Sequence, residues 1–341
     1  MYLISPQKQQ FKANLHCHST YSDGKLTPQQ LKDAYKEHGY QVLCISDHER
    51  THDLSEMSDP DFLMLTGYEA YIRPNYAYNF YDREVHLNLF ARDPRNEALV
   101  CYNPRSCKYL TPEEQAAIPK AGPLAERAYT VEYINDFIRI ARENGYIVAY
   151  NHPVWSGESF DRIASYEGLF SMELCNYSSA SLGNPEYSGP LYNQMLRQGY
   201  RLFAHSADDN HNEYPFDSEK NDSFGGITMI LADKLEYDEV FHAMETGEMY
   251  STMGPVFHEV SFDGEQVHIR CSDVAQICCN WGGKTPTCVR AKQGQTICEA
   301  TIPLKENARF VQVSILDRSG NFADTRGYFR DELGLPPLEN A

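Results

Sequence analysis

The sequence predicts an α/β barrel followed by a small all-β sandwich, and two changes of pattern along the chain carry that prediction. From Phe11 to about Ile230 short apolar runs alternate with amphipathic stretches, the signature of parallel strands joined by helices. After Gly254 and Pro255 the helical period disappears and short alternating strands follow. The chain has 341 residues, more than the roughly 250 to 300 at which a single core stops growing. Two domains are therefore expected, a barrel over 1–255 and a β-sandwich over 256–341.

Strands are expected at Lys12 to Leu15, Val42 to Ser46, Phe62 to Thr66, Val85 to Phe90, Tyr146 to Tyr150, Leu169 to Leu174, Arg201 to Ala204 and Gly226 to Leu231. Seven or eight strands close a barrel. Thr27 and Pro28 supply the N-cap and first residue of a helix over Gln29 to His38, which Gly39 stops. Thr130 to Asn144 reads the same way and ends at Gly145. The stretch 91–127 contains proline and no clear strand, and inserted segments of that length usually act as lids. In the carboxyl region strands are expected at Glu259 to Phe262, Gln266 to Cys271, Thr296 to Ile302 and Phe310 to Asp317.

Composition bounds the function. Apolar residues make up 42% and charged residues 23%, as in ordinary globular proteins. A formal charge of -18 repels polyanions, which argues against a protein that grips long nucleic acid, although metal ions can reverse the charge locally. Met1 to Gln10 lacks the basic segment and apolar run of a secretory signal, and no stretch approaches the roughly 18 apolar residues of a membrane span. The expectation is a cytoplasmic protein without a membrane partner. The ten cysteines show no regular pairing, and Cys17, Cys44, Cys101 and Cys175 fall in core elements or beside histidines. Reduced thiols are expected, with the adjacent Cys278 and Cys279 as packing residues.

The strongest chemical signal is His16-Cys17-His18 at a strand end, where period-two geometry puts both imidazoles on one face. Alone, such a pair is more often a surface or hydrogen-bonded feature. Further imidazoles and carboxylates then arrive about once per strand: Asp47-His48, Glu69, His86, His152-Pro153 and Asp208-Asp209-Asn210-His211. Neutral imidazoles suit zinc, manganese and iron, and carboxylates can bridge neighbouring ions. The set is too rich for one tetrahedral ion and points to two or three.

These residues follow the motif order of a known family. His16-Cys17-His18 with Tyr21-Ser22-Asp23-Gly24, then Asp47-His48, Glu69, His86, His152-Pro153 and Asp209-Asn210-His211, make the chain from Phe11 to about Pro255 resemble the PHP (polymerase and histidinol phosphatase) superfamily of metal-dependent phosphoesterases. Tyr250 to Pro255 resembles the end of the catalytic domain in members with a carboxyl-terminal β domain. The resemblance implies a distorted (β/α)7 barrel of TIM-like form and a trinuclear site. His16, His18, Glu69 and Asp209 would hold a first ion, Glu69 would bridge to a second held by His86 and His152, and Asp23, His48 and His211 would hold a third. The last motif departs from the family's GSDAH, and its spacing from His211 favours Asp209 over Asp208 as the ligand.

The implied activity is hydrolysis of a small phosphomonoester or phosphodiester by metal-activated hydroxide, with Asp209, Glu69 and His211 in catalytic roles. Alternatives are a 3'-5' exonuclease-like nuclease, a metal-binding module without turnover, and metal-assisted cleavage of a carbon-nitrogen bond. Arg83, Arg105 and His205 are candidates for substrate binding, with Arg73, Lys108 and Arg127 on neighbouring segments. Most such cations are ordinary surface charges, and His205 is more often a packed histidine than a substrate contact. Tyr71, Tyr76, Tyr78 and Tyr81 form a possible stacking cluster, while His38, His242, His258 and His268 read as structural. Asp47 is a candidate hydrogen-bond partner for a ligating imidazole.

Overall fold

The computed structural model describes residues 1–74, 83–124, 126–184 and 186–338; Tyr76, Tyr78 and Tyr81 lie outside them. The first half of the chain runs β1 (Tyr2–Ile4), β2 (Gln9–Asn14), α1 (Pro28–Glu37), β3 (Val42–Ile45), β4 (Leu63–Ile72), β5 (Val85–Ala91), β6 (Leu99–Val100), α2 (Pro112–Ala117), β7 (Lys120–Ala121), α3 (Val131–Glu143) and β8 (Tyr146–Tyr150). There follow α4 (Phe160–Ile163), β9 (Ser171–Asn176), α5 (Tyr177–Ser181), α6 (Gly189–Arg197), β10 (Phe203–Ala207), β11 (Ile227–Ala232), α7 (Tyr237–Thr246) and β12 (Met249–Thr252). The remainder is all β: β13 (Phe257–Phe262), β14 (Gln266–Val274), β15 (Gln276–Asn280), β16 (Thr287–Arg290), β17 (Ile297–Pro303), β18 (Phe310–Leu316), β19 (Phe322–Thr325) and β20 (Tyr328–Phe329).

Local chemistry accounts for the two helices read from sequence. Thr27 accepts the Gln30 N–H in a reciprocal capping box with Pro28 in the first turn, satisfying amides that the helix itself leaves open. In α3 the N-cap is Thr130, and Ile134, Phe137, Ile138 and Ala141 are buried at helical spacing. That stripe packs on the strands beside it.

One large mixed sheet positions the site. Its order is β10-β9-β8-β5-β4-β3-β2-β11-β12-β19-β18-β15-β16, with β20 paired to β18. Neighbours β2, β3 and β4 run parallel, as do β8, β9 and β10. Between those groups β5 is antiparallel to both β4 and β8, which corrects the all-parallel reading. The sheet path curves until Ser206 on β10 meets β11, its N–H donating to Thr228 Oγ1 at 3.1 Å while the Thr228 hydroxyl returns to Ser206 O at 2.7 Å.

Other expectations are also corrected. The 91–127 segment carries the short parallel pair β6 and β7 and the helix α2, and its Leu99, Val100, Cys101, Cys107 and Leu110 are buried in the main core. In the carboxyl region β15, β16, β19 and β20 accompany the expected strands. β1, from the amino terminus, joins β13, β14 and β17 in a separate four-stranded sheet. A core including Phe257, Val267, Trp281 and Ile315 lies between the sheets. Cys278 and Cys288 face each other across β15 and β16, Cα atoms 4.1 Å apart, and form a disulfide. The reduced reading fails there because cross-strand register, which pairs them, is not visible in cysteine spacing.

Candidate metal centre

The nine residues expected as ligands converge. His16 and His18 lie just beyond β2 in a loop held by backbone bonds to its neighbours: the Asp209 N–H donates to His16 O at 2.8 Å, and the His18 N–H to Asn210 O at 3.1 Å. Similar bonds join Ser46 to Cys17, and Glu69 to Ser46. The segments beyond β2, β3 and β10 and the middle of β4 are thus bound directly to one another.

Three overlapping sets of side chains could each hold a metal ion: His16, His18, Glu69 and Asp209; His18, Asp23, His48 and His211; and His48, Glu69 and His86. Ligand atoms within each set lie within 4.8 Å of one another. Asp209 Oδ1 is 3.1 Å from His16 Nε2 and 2.9 Å from His18 Nε2. Glu69 Oε2 is 2.9 Å from His48 Nδ1, and Glu69 Oε1 is 2.9 Å from His86 Nδ1. His152 Nε2 lies 3.4 Å from Glu69 Oε1 and 3.9 Å from Asp209 Oδ2. The grouping differs from the expected one in that His18 and His48 each belong to two sets, and His48 rather than His152 accompanies His86.

Electrostatics explains how carboxylates and imidazoles coexist in a buried cluster. Burial raises the Glu69 pKa, but His86, His16 and His48 outweigh it and hold the carboxyl well below its usual range. At His86 burial works against the charged form, yet Glu69 and Glu84 overcome it and push the pKa up to about 10. At His18 burial wins, aided by His211 and His48, and brings the pKa down to about 4. Asp208 is separate: burial pushes its pKa up to about 6 while it accepts from Tyr35 Oη and the amides of Phe224, Gly225 and Gly226. Asp209 therefore faces the cluster, and Asp208 braces the loop.

The cluster opens into a cavity of about 420 Å³, bordered by Asp23, Glu69, His86, His152, Asp209 and His211. Arg73 and Lys108, Lys25 and Lys220 also border it. Arg83 and Arg105 do not, and Arg105 pairs with Glu126 at 2.9 Å. His205 is fully buried, 4.0 Å from Glu173, because it sits inside β10 below the strand end. Arg127 is also buried and binds Glu49, its Nη2 2.8 Å from Glu49 Oε2. Asp47 accepts from Ser19 and Ser22 hydroxyls, not from an imidazole.

Sequence reasoning missed several contributors. Glu173 on β9 lies 3.2 Å from His16 Nδ1, and Glu84 lies 3.2 Å from His86 Nε2. Asn176 donates to both Glu173 and Asp209. The available signal was a carboxylate inside the otherwise apolar run of β9. Tyr109, from the 91–127 segment, donates to Asp23 Oδ2 at 2.9 Å. Trp155 lies over the centre, its ring 4.7 Å from His152 and 5.2 Å from His86.

Residues 14–153 match the PHP domain family model. Over that span the chain resembles a PHP domain. The matched span begins beside the His16 and His18 loop and ends at His152-Pro153, so it holds seven of the nine clustered residues, with Asp209 and His211 beyond it. No curated protein sequence matches the chain. Among solved structures, the chain is similar to a two-domain protein from Bacteroides vulgatus described as containing a predicted PHP-like metal-dependent phosphoesterase. That pair shares 13% identity over 96% of this chain and 97% of that one, with a TM-score of 0.46. It is also similar to an amidohydrolase from Chromobacterium violaceum with bound sulfate and no metal, at 18% identity over 58% of this chain and 87% of that one, with a TM-score of 0.38.

Proposed function

We propose that this chain is a metal-dependent hydrolase of small phosphate esters, acting through two or three divalent ions at the open end of a distorted (β/α)7 barrel. The observation that carries the reading is the sharing of Glu69, His18 and His48 between overlapping ligand sets, of which Glu69 and His48 border one cavity. The donor chemistry fits such ions. Glu69 Oε2 and His48 Nδ1 are buried and 2.9 Å apart, yet neither has a hydrogen-bond partner of acceptable geometry among the described residues, as expected of lone pairs aimed at a common cation. Manganese, zinc or iron suits this mixture of imidazole and carboxylate.

Divalent ions held there would supply Lewis acidity and a water of lowered pKa. The chain's own residues do the rest. Glu69, at the centre, would be shared between ions, and Asp209 would complete the set around His16 and His18. His211 is tied through Nδ1 to Asp209 O at 2.9 Å, which turns Nε2 toward Asp23 at 3.5 Å. That aims the Nε2 lone pair into the set it forms with His18, Asp23 and His48. Lys25, Arg73, Lys108 and Lys220 border the cavity and complement a phosphate within a protein of net charge -18. The same acidic balance favours a small substrate over long nucleic acid.

The test is a screen of the metal-reconstituted protein against phosphomonoesters, phosphodiesters, nucleotides and single-stranded DNA. Metal-dependent ester hydrolysis is expected, abolished in His16→Ala and Asp209→Ala with the circular dichroism spectrum preserved. Preference for DNA would establish the nuclease alternative, and ammonia release from amide substrates the carbon-nitrogen hydrolase. Metal binding without turnover of any ester would leave a binding module.

A further inference from the structure

We infer that the leaving group of the substrate carries an aromatic ring and that Trp155 selects it; the inference rests on the phosphoester reading above. Large apolar side chains are exposed at nine positions among the described residues. Three of them, Trp155, Leu182 and Tyr214, border the catalytic cavity, and Val154 and Phe216 are near them in sequence. Chance would scatter such residues singly over the surface; their concentration at one opening marks a binding surface.

Trp155 is presented there by a rigid support. The N–H groups of Val154 and Trp155 donate to the two oxygens of Glu186 at 3.1 and 2.8 Å, and the Ser156 N–H donates to His152 O at 2.9 Å. Just beyond, Glu158 accepts hydrogen bonds from the hydroxyls of Tyr129, Tyr150 and Tyr166 and pairs with Arg162. A loop fastened at both ends leaves the indole 44% exposed while its ring stands 4.7 Å from that of His152. An exposed indole held still loses little entropy on binding, and it offers a flat apolar face beside the ions that would hold the phosphoryl group. The cations of the cavity serve the phosphate, and Trp155 with Leu182 serves the ring attached to it. A cavity of about 420 Å³ has room for both.

The experiment uses benzylphosphonate and propylphosphonate, which cannot be hydrolysed, with the metal-loaded protein. Benzylphosphonate is expected to inhibit with a Ki about tenfold lower than propylphosphonate and to alter tryptophan emission. Trp281, the second tryptophan, is buried in the carboxyl region, so Trp155→Phe protein supplies its baseline. Trp155→Phe should retain most of the tenfold preference, and Trp155→Leu should collapse it. Equal inhibition by the two phosphonates, or a preference unchanged in Trp155→Leu, overturns the inference while leaving the phosphoesterase reading in place. Binding of neither, together with no ester hydrolysis, overturns both.

Discussion

Glu173 Oε2 accepts the backbone N–H of His152 at 2.7 Å, and the other oxygen of the same carboxylate lies 3.2 Å from Nδ1 of His16. His152 has a φ of 27° and Asp209 one of 53°, in the left-handed region that costs a non-glycine residue energy unless its surroundings impose it. Glu173 imposes it at His152. Asn176 extends the support by donating to Glu173 and to Asp209 Oδ2 at 3.0 Å. One buried pair thereby orients three of the clustered side chains. Glu173→Gln puts an N–H where an acceptor is needed, and metal affinity should fall roughly 10- to 100-fold. Competition with a chromophoric chelator measures this, and an affinity within about twofold of the parent would refute the role.

Gly24 lets the Asp23 loop close on the centre. A Cβ there would stand 2.2 Å from His18 O, inside any permissible contact. Gly24→Ala should push Asp23 away from His48 and His211 and cost about one bound ion per chain, since a site lacking a ligand binds weakly. Elemental analysis after gel filtration counts the ions; an unchanged number shows that the loop accommodates the methyl group.

Arg127 and Glu49 form an ion pair with both side chains fully buried. Removing one partner strands a charge, so Arg127→Met should destabilise the fold by about 3 to 5 kcal/mol. Combining it with Glu49→Gln should recover much of that loss. Urea unfolding decides the matter, and a single variant within about 1 kcal/mol of the parent would show the pair to be dispensable.

Asp324 offers a pH test outside the metal centre. Burial raises its pKa, although Ser314, Tyr187 and Gln312 donate to it and oppose that shift. A carboxyl with a raised folded pKa binds its proton more tightly in the native state. Its stabilising contribution is complete below the unfolded value of about 3.9 and is lost as pH rises through the folded pKa. Asp324→Asn removes this dependence, so its stability relative to the parent should improve between about pH 4 and pH 7. A difference constant over that interval would contradict the assignment.

Much of the candidate site was legible because most of the clustered side chains fall near the end of an apolar run. His16, His18, His48, His152, Asp209 and His211 are found by inspecting the residues just past each strand. Arg105 and His205 misled for a related reason: sequence position places a residue near a strand end but does not say which way it faces or what already binds it. Glu173 was missed because its importance lies in His16, an imidazole brought to it from another strand, and Glu84 because residue type does not reveal that it faces His86.

The sequence alone determined the order of elements, the two capped helices and the set of imidazoles and carboxylates available for metals, since these arise from periodicity, capping and residue type within a short window. Tertiary structure decided the reversed direction of β5, the pairing of Cys278 with Cys288, the burial of Arg127 against Glu49 and the sharing of His18 and His48 between ligand sets. Each of those depends on register or packing between segments distant in the chain, and such distances are set only when the sheet curves and closes its core.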